Sequence, residues 1–227
     1  MALALPPAAR SSVDEFDRQC DVMTGLGLPE LIGVTQQEFE ESLAPLRALA
    51  ARVSSGETDS RSDGRAGLVV VPALRGVSAA ALVPLMRLQG SDRPGILDRN
   101  HGEPGLAPYA PLDDLGVPDQ PYVLVDVERG DRFRGVRPRD AVAVIGEAGR
   151  TPLTITEGVF LQLVRPDLLQ PNRCFMLAGS RRGDKRVPAL WISQRAPKLG
   201  WCWEGNPHTW LGTASAADRL APATTAP

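Results

Sequence analysis

The first 53 residues carry two amphipathic helix patterns. Apolar residues recur at helical spacing between residues 16 and 23 and again between residues 39 and 50. Each pattern follows a capping box, in which a hydroxyl and a carboxylate three residues apart satisfy backbone N–H groups; the boxes lie at residues 12–15 and 35–38. Pro45 lies inside the second pattern, where its missing N–H and its ring predict a kink or a split.

Strand and helix patterns alternate along the rest of the chain. β-Branched runs predict strands at residues 67–71 and 122–127, and residues 174–178 and 189–192 are typical of a hairpin. Further helices are predicted at residues 78–88, 137–147 and 155–164. These elements predict an α+β fold, in which two N-terminal helices and the further helices pack on a mainly antiparallel sheet.

A single domain is predicted for residues 12–213, because 227 residues with 43% hydrophobic content suffice for one core. Within it, residues 12–53 form a helical part, residues 54–65 a polar loop without apolar side chains, and residues 66–213 a β-rich part. Residues 1–11 and the tail at 214–227 are expected to be disordered.

Residues 90–121 are rich in Gly, Pro and Asp and exceed the length of an ordinary connection. Such a segment predicts a lid or a mobile insertion. His101 lies in it, beside Asp98 and Glu103, and its imidazole titrates near neutral pH. The first interpretation is an exposed loop histidine, and the alternative is a catalytic one.

The formal net charge of −2 argues against a general nucleic-acid binder. Acidic residues concentrate between residues 12 and 59 and basic residues between 181 and 198; solvated faces explain both, and partner surfaces are the alternative. No apolar run approaches the ~20 residues that span a bilayer. In the first ten residues the charge follows the apolar part, the reverse of a signal peptide, so a cytoplasmic protein without a membrane partner is expected.

Neither a metal nor a cofactor is expected from the motifs. Cys20, Cys174 and Cys202 are odd in number and widely spaced, which argues against a disulfide framework or a four-thiolate zinc site. Zinc-binding His-Glu-x-x-His, phosphate-cradling glycine loops and the Gly-x-Ser-x-Gly elbow do not occur in the sequence. A haem on the Cys202 thiolate has no specific motif in its favour.

The chemically densest stretch is residues 200–212, GWCWEGNPHTWLG, which holds three of the four tryptophans. With a turn at residues 205–207, Cys202 and His208 would face each other across a hairpin. An imidazole within hydrogen-bond reach of a thiol is the minimum requirement for a thiolate nucleophile. Cys202 and His208 are therefore the candidate catalytic residues, with His208 as general acid or base.

The surroundings of this pair supply the candidate substrate-binding residues, which are Trp201, Trp203, Trp210, Asn206, Arg181 and Arg182. The three indoles would wall a pocket, since so many large rings in ten residues are difficult to place in a core together. The two guanidinium groups would hold a carboxylate or a phosphate. Besides the nucleophile, two other interpretations of residues 200–212 remain open: the wall of a pocket without catalysis, or an ordinary strand and turn.

Several motifs follow one another between residues 122 and 212, in the order YVLVDVERGD, TPLTITEG, NRCFM, PALWIS and GWCWEGNPHTWLG. Together they resemble an actinobacterial family of unknown function. The resemblance implies a small, soluble, single-domain protein and brings no catalytic assignment. Residues 90–107 depart from the family pattern, which would make His101 particular to this protein.

Two functions are compatible with these observations. The first is a cofactor-independent enzyme that acts on a small organic substrate by lyase, isomerase/cyclase or acyl-transfer chemistry, in specialised metabolism. It follows from the absence of nucleotide, flavin and zinc motifs. The alternative is a non-catalytic binding or protein-interaction module. A concave site where His208 meets a thiol or carboxylate favours the enzyme, and fully packed tryptophans favour the module.

Overall fold

The computed structural model describes residues 11–53 and 64–223 of the chain. Its α-helices are α1 (Ser12–Gly25), α2 (Leu28–Leu31), α3 (Gln36–Arg52), α4 (Ala79–Leu82), α5 (Pro138–Glu147) and α6 (Ile155–Val164). Its strands are β1 (Arg65–Val71), β2 (Ile96–Leu97), β3 (Ala110–Pro111), β4 (Tyr122–Glu128), β5 (Thr151–Pro152), β6 (Cys174–Met176), β7 (Ser180–Arg181), β8 (Arg186–Ser193), β9 (Ala196–Trp203), β10 (Leu211–Thr213), β11 (Ser215–Ala216) and β12 (Asp218–Leu220). The predictions for residues 1–10, 54–63 and 224–227 lie outside the described residues.

Local side chains cap the long N-terminal helices. Ser11 Oγ accepts the N–H of Asp14 at 3.1 Å, and the Asp14 carboxylate accepts the N–H of Ser11, so the first capping box begins one residue earlier than predicted. The second box, Thr35 with Glu38, lies where it was predicted. The helices predicted at residues 137–147 and 155–164 are confirmed as α5 and α6.

Two prolines have different effects on the predicted helices. α3 continues through Pro45, so the predicted split is wrong; Leu43 and Leu46 are both buried and hold the two halves of the helix on the core. The pattern at residues 78–88 gives the single turn of α4 and then a 3-10 turn, Val83–Leu85. The helix changes from α to 3-10 geometry at Pro84, because proline supplies no N–H for a continuing α-helix.

Two five-stranded sheets hold most of the strands. The first has the order β1–β4–β11–β5, with β12 also on β4, and its pairs are antiparallel. The second has the order β10–β6–β8–β9–β2, in which the outer strands join in parallel and the inner three are antiparallel. β3 and β7 form a small third sheet. Pairing is mainly antiparallel, and the predicted α+β class is confirmed.

The chain passes from the second sheet to the first through a single residue, Ala214. β10 ends at Thr213, opposite Met176, and β11 begins at Ser215. The Ala214 N–H donates to the Met176 carbonyl at 3.0 Å, and the Ala214 carbonyl accepts the N–H of Leu153 at 3.0 Å. The disorder predicted from residue 214 onward is therefore wrong for β11 and β12, whose backbone groups pair with β4 and β5.

The predicted lid at residues 90–121 is tied to the rest of the fold at two points. β2 pairs with β9, and β3 pairs with β7. His101, in the 3-10 turn Arg99–His101, is 1% exposed. The interpretation of His101 as an exposed loop histidine is wrong, because strand pairing on both sides draws this turn into the protein.

α6 lies at the centre of the core, with nine of its ten residues buried. Gly158 in this helix faces Leu177 so closely that an added Cβ would lie 2.0 Å from the leucine side chain. One cluster of buried apolar side chains joins the N-terminal helices to both five-stranded sheets. Among the described helices, none combines the length and the apolar character needed to cross a bilayer.

Candidate functional site

The signature segment at residues 200–212 does not form the predicted hairpin. All eight residues of β9 pair with β8, from Arg186 opposite Trp203 to Ser193 opposite Ala196. β10, which follows the turn, pairs with β6. Cys202 and His208 therefore do not lie opposite each other on paired strands, since the two sides of β9 are taken by β8 and β2.

Cys202 is a buried thiol in contact with sulfur and not with an imidazole. Its Sγ lies 3.4 Å from the Sδ of Met176, and the residue is 8% exposed. Burial raises the pKa of this thiol to about 12, although the charge of Arg181 acts in the opposite direction. A thiol with this pKa stays protonated at neutral pH, so it lacks the thiolate that nucleophilic attack requires.

His208 packs against tryptophan on the other side of the turn. Its ring centroid lies 5.5 Å from that of Trp210, which in turn meets Trp191 edge to face at 6.4 Å. The Nε2 atom of His208 is buried without a hydrogen-bond partner among the described residues, and burial lowers the pKa of the imidazole.

The tryptophans form two separate groups and not the single predicted wall. Trp201 and Trp203 alternate with Cys202 along β9, so they lie on the opposite face of the sheet from Cys202. Their rings meet at 4.8 Å, and the guanidinium of Arg186 lies 4.3 Å from the Trp201 centroid. Trp191 and its cross-strand partner Lys198 lie on the same face of the sheet as Cys202. Trp191 and Trp210, whose rings meet edge to face, form the second group.

The remaining predicted binding residues have structural contacts. Arg181 donates to the carbonyls of Ala178 and Ser180, and burial lowers its pKa. Arg182 donates to the His101 carbonyl at 3.0 Å and pairs with Asp184 at 3.2 Å. The Asn206 N–H closes the turn on the Trp203 carbonyl at 3.0 Å.

A pocket of about 690 Å³ lies elsewhere, beside the start of α6. It lies between residues 71–79, which run from the last residue of β1 onward, and residues 106–122, which end at the first residue of β4. Its apolar wall includes Val71, Leu74, Leu106 and Val117. Its hydroxyl groups come from Ser78, Tyr109, Tyr122, Thr154, Thr156 and Ser180. The volume and this mixture are typical of small-molecule sites.

A buried ion pair lies beneath this pocket. Glu157 in the first turn of α6 is fully buried, and its Oε1 lies 2.6 Å from the Nε of Arg219. Tyr122 donates its hydroxyl to the same carboxylate at 2.9 Å. Burial raises the pKa of the Tyr122 phenol, and the negative charge of Glu157 raises it further, so the hydroxyl stays a hydrogen-bond donor to Glu157.

Tyr109 connects the pocket to His101. The two rings meet edge to face at 5.6 Å. The Tyr109 hydroxyl and both ring nitrogens of His101 are buried, and none of these atoms has a hydrogen bond of close geometry in the described part of the chain. Weaker interactions remain, since Arg182 interacts with the Tyr109 hydroxyl and the Leu199 backbone with the His101 imidazole. A functional clue was present in the sequence, since a loop as long as residues 90–121 is often a binding loop.

The burial of His101 predicts a pH-dependent stability. Burial lowers its pKa, and the positive charges of Arg182 and Arg186 act in the same direction. The unfolded state therefore binds the proton first, so the free energy of unfolding falls as pH decreases below the ordinary histidine pKa of about 6.5. One histidine contributes at most about 1.4 kcal/mol per pH unit.

Denaturant unfolding between pH 7.5 and pH 5 measures this slope. His208 adds to it in the same direction, because burial lowers its pKa as well. We expect His101→Phe to remove part of the slope and the double variant with His208→Phe to flatten it. These are the two histidines of the chain, so an unchanged slope in the double variant would contradict the prediction.

Fold and pocket together define an α+β protein with a ligand-sized pocket beside its central helix. Residues 22–222 match the family of unknown function DUF5701. Since this match spans most of the chain, the protein belongs to that family. No curated protein and no solved structure matches the chain. Within residues 11–53 and 64–223, no group of three or more His, Cys, Asp or Glu side chains is placed to hold a metal ion.

Proposed function

We propose that the protein binds a small organic molecule in the pocket beside the start of α6. The observation that carries this proposal is the pocket itself, about 690 Å³ in volume and lined by apolar side chains together with hydroxyl-bearing residues. Ligand sites combine apolar surface with convergent polar groups.

A cofactor-independent enzyme is the more specific form of this proposal. Lyase, isomerase/cyclase or acyl-transfer chemistry at His208 and Cys202 has less support than binding, because the thiol is protonated and contacts Met176. An actinobacterial origin, a cytoplasmic location and a role in specialised metabolism rest on the sequence motifs alone and are proposed on that basis.

A protein-interaction module is the second candidate, and one observation favours it. Trp203 is 43% exposed beside the cation of Arg186. Exposed tryptophan with arginine is frequent among the residues that dominate protein interfaces. Loss of partner binding in Trp203→Ala, together with a pocket that accepts no ligand, would favour this function.

A thermal-shift screen against small metabolites tests the binding proposal. Thr156, the second residue of α6, is half-buried and lines the pocket, and Thr154, two residues earlier, supplies the helix cap. Tryptophan at this position would occupy part of the pocket next to the start of α6 and would leave the Thr154 cap in place. We expect ligands that raise the Tm of the wild type to lose this effect in Thr156→Trp, with an affinity loss of roughly 100-fold or more.

Thr24→Trp is the matched control, since Thr24 is also half-buried on a helix and does not line the pocket. It should respond to ligands as the wild type does. A ligand that stabilises all three proteins equally binds elsewhere and contradicts the proposal. A ligand that raises the Tm of Thr156→Trp but not that of His208→Ala would indicate that the binding site lies at residues 200–212.

A further inference from the structure

We infer that the ligand of this pocket is uncharged and presents a hydrogen-bond acceptor, such as a carbonyl or ether oxygen, to the hydroxyl of Tyr109. This inference rests on the proposed function, because it names the class of molecule that the same pocket takes. It follows from which polar groups around the pocket are already satisfied and which one is free.

The start of α6 is not available to an anion. Helix N-termini bind anions through unsatisfied N–H groups and the positive end of the dipole. Here Ser180 Oγ accepts the N–H of Ile155 at 3.0 Å, and Thr154 Oγ1 accepts the N–H of Glu157 at 3.3 Å. The Glu157 carboxylate accepts the N–H of Thr154 at 2.7 Å and places a negative charge in the first turn. A ligand anion would meet an occupied and already compensated terminus.

The buried guanidinium beneath the pocket is equally occupied. Arg219 has five N–H donors. Its Nε and Nη2 donate to Glu157, Nη2 also donates to the Pro152 carbonyl, and Nη1 donates to the Leu115 carbonyl and to Thr151. Each donor has an acceptor, and the charge is balanced by Glu157. No part of this cation is left to bind a ligand.

The ionisable side chains that line the pocket, apart from the two tyrosines, are Arg75 and Asp119. They have opposite signs, and both residues are exposed. Water screens such exposed charges, so they add little attraction for a ligand of either sign. The pocket therefore offers no net charge to compensate an ionised group, whose desolvation would cost several kcal/mol without a partner.

Tyr109 carries the free donor. Its hydroxyl is buried without a hydrogen bond of close geometry, and the edge contact with His101 holds the ring. Burial raises the pKa of this phenol to about 12, so the hydroxyl keeps its proton at neutral pH. The nearby positive charges of Arg182 and Arg186 favour an orientation in which the oxygen lone pairs face them and the hydrogen faces away. The hydroxyl is thus a donor in need of an acceptor.

A pair of naphthalene dyes tests the inferred ligand class. Prodan is uncharged and carries a carbonyl, whereas anilinonaphthalene sulfonate is anionic. We expect prodan to bind the wild type with a blue-shifted emission, more tightly than the sulfonate, and to lose this binding in Thr156→Trp. Tyr109→Phe keeps the ring and removes the donor, and should weaken prodan about tenfold. A prodan analogue with propyl in place of propionyl should change less than about twofold.

The outcomes separate the two proposals. Prodan binding that persists in Thr156→Trp would refute the pocket as the site, and with it the proposed function. Binding that depends on Thr156 but is unchanged by Tyr109→Phe, or a sulfonate dye that displaces prodan at equal or lower concentration, would refute the ligand class alone. Failure of prodan to bind, while metabolites still stabilise the wild type through this pocket, would also refute the ligand class. The Tm of Tyr109→Phe without ligand shows that the variant is folded.

Discussion

Arg219→Met is expected to lower the free energy of unfolding by about 3–5 kcal/mol, because it leaves the Glu157 carboxylate buried without its cation. Arg219 and Glu157 are 5% and 0% exposed as side chains. Methionine fills similar volume but supplies none of the hydrogen bonds that Arg219 makes to Glu157, Thr151 and the carbonyl of Pro152. Urea unfolding followed by circular dichroism measures the loss.

Two further variants identify the cause. Arg47→Met removes the exposed pair of Arg47 with Asp17 and should have a much smaller effect, since exposed ion pairs contribute little. The double variant Arg219→Met/Glu157→Gln should be more stable than Arg219→Met alone, because no uncompensated charge is left. A double variant less stable than the single one would show that the ion pair is not the cause.

Gly130→Ala is expected to cost on the order of 4 kcal/mol, or to prevent folding, because the backbone leaves no room for a side chain. An added Cβ would lie 1.9 Å from the carbonyl oxygen of Thr213 and 2.5 Å from its carbon. Gly130 also has a φ of 81°, which L-residues with a Cβ rarely adopt. The close approach joins the turn after β4 to β10.

Gly135→Ala separates the two contributions. Gly135 has nearly the same φ, 79°, but no atom within 4 Å of an added Cβ. The free energy of unfolding of Gly135→Ala should therefore fall only by the conformational cost of about 1–2 kcal/mol. The two variants are compared by denaturant unfolding, or by the folded fraction after expression if Gly130→Ala does not fold. Equal losses would show that contact with Thr213 is unimportant.

Local chemistry explains which parts of the fold were predictable. Capping boxes act within four residues, and the box at Thr35 lies where the sequence predicted it. The hairpin partners at residues 174–178 and 189–192 are also confirmed, with Phe175 opposite Leu190. In each case the signal and the structure that it determines lie close together in the chain.

The features that required distant contacts were missed. The pocket combines residues 71–79, 106–122 and 154–156 with Ser180, and no local pattern brings these segments together. The spacing of Cys202 and His208 suits a hairpin. In the structure, however, β9 pairs with β8 along its whole length, so β8 and not the segment after the turn is its partner. The position of His101 in a long loop predicts an exposed side chain, whereas two separate strand pairs bury it.

The passage of the chain through Ala214 has a mechanical consequence. Thr213 belongs to one five-stranded sheet and Ser215 to the other, so continuous backbone connects the two ladders. Covalent bonds along this segment resist any displacement of one sheet against the other, in addition to the side-chain packing between them. Shear between the sheets would require rupture of the hydrogen bonds on both sides of Ala214 at once. We therefore expect the two sheets to move together, so that a ligand of the proposed pocket would be accommodated by the loops around it.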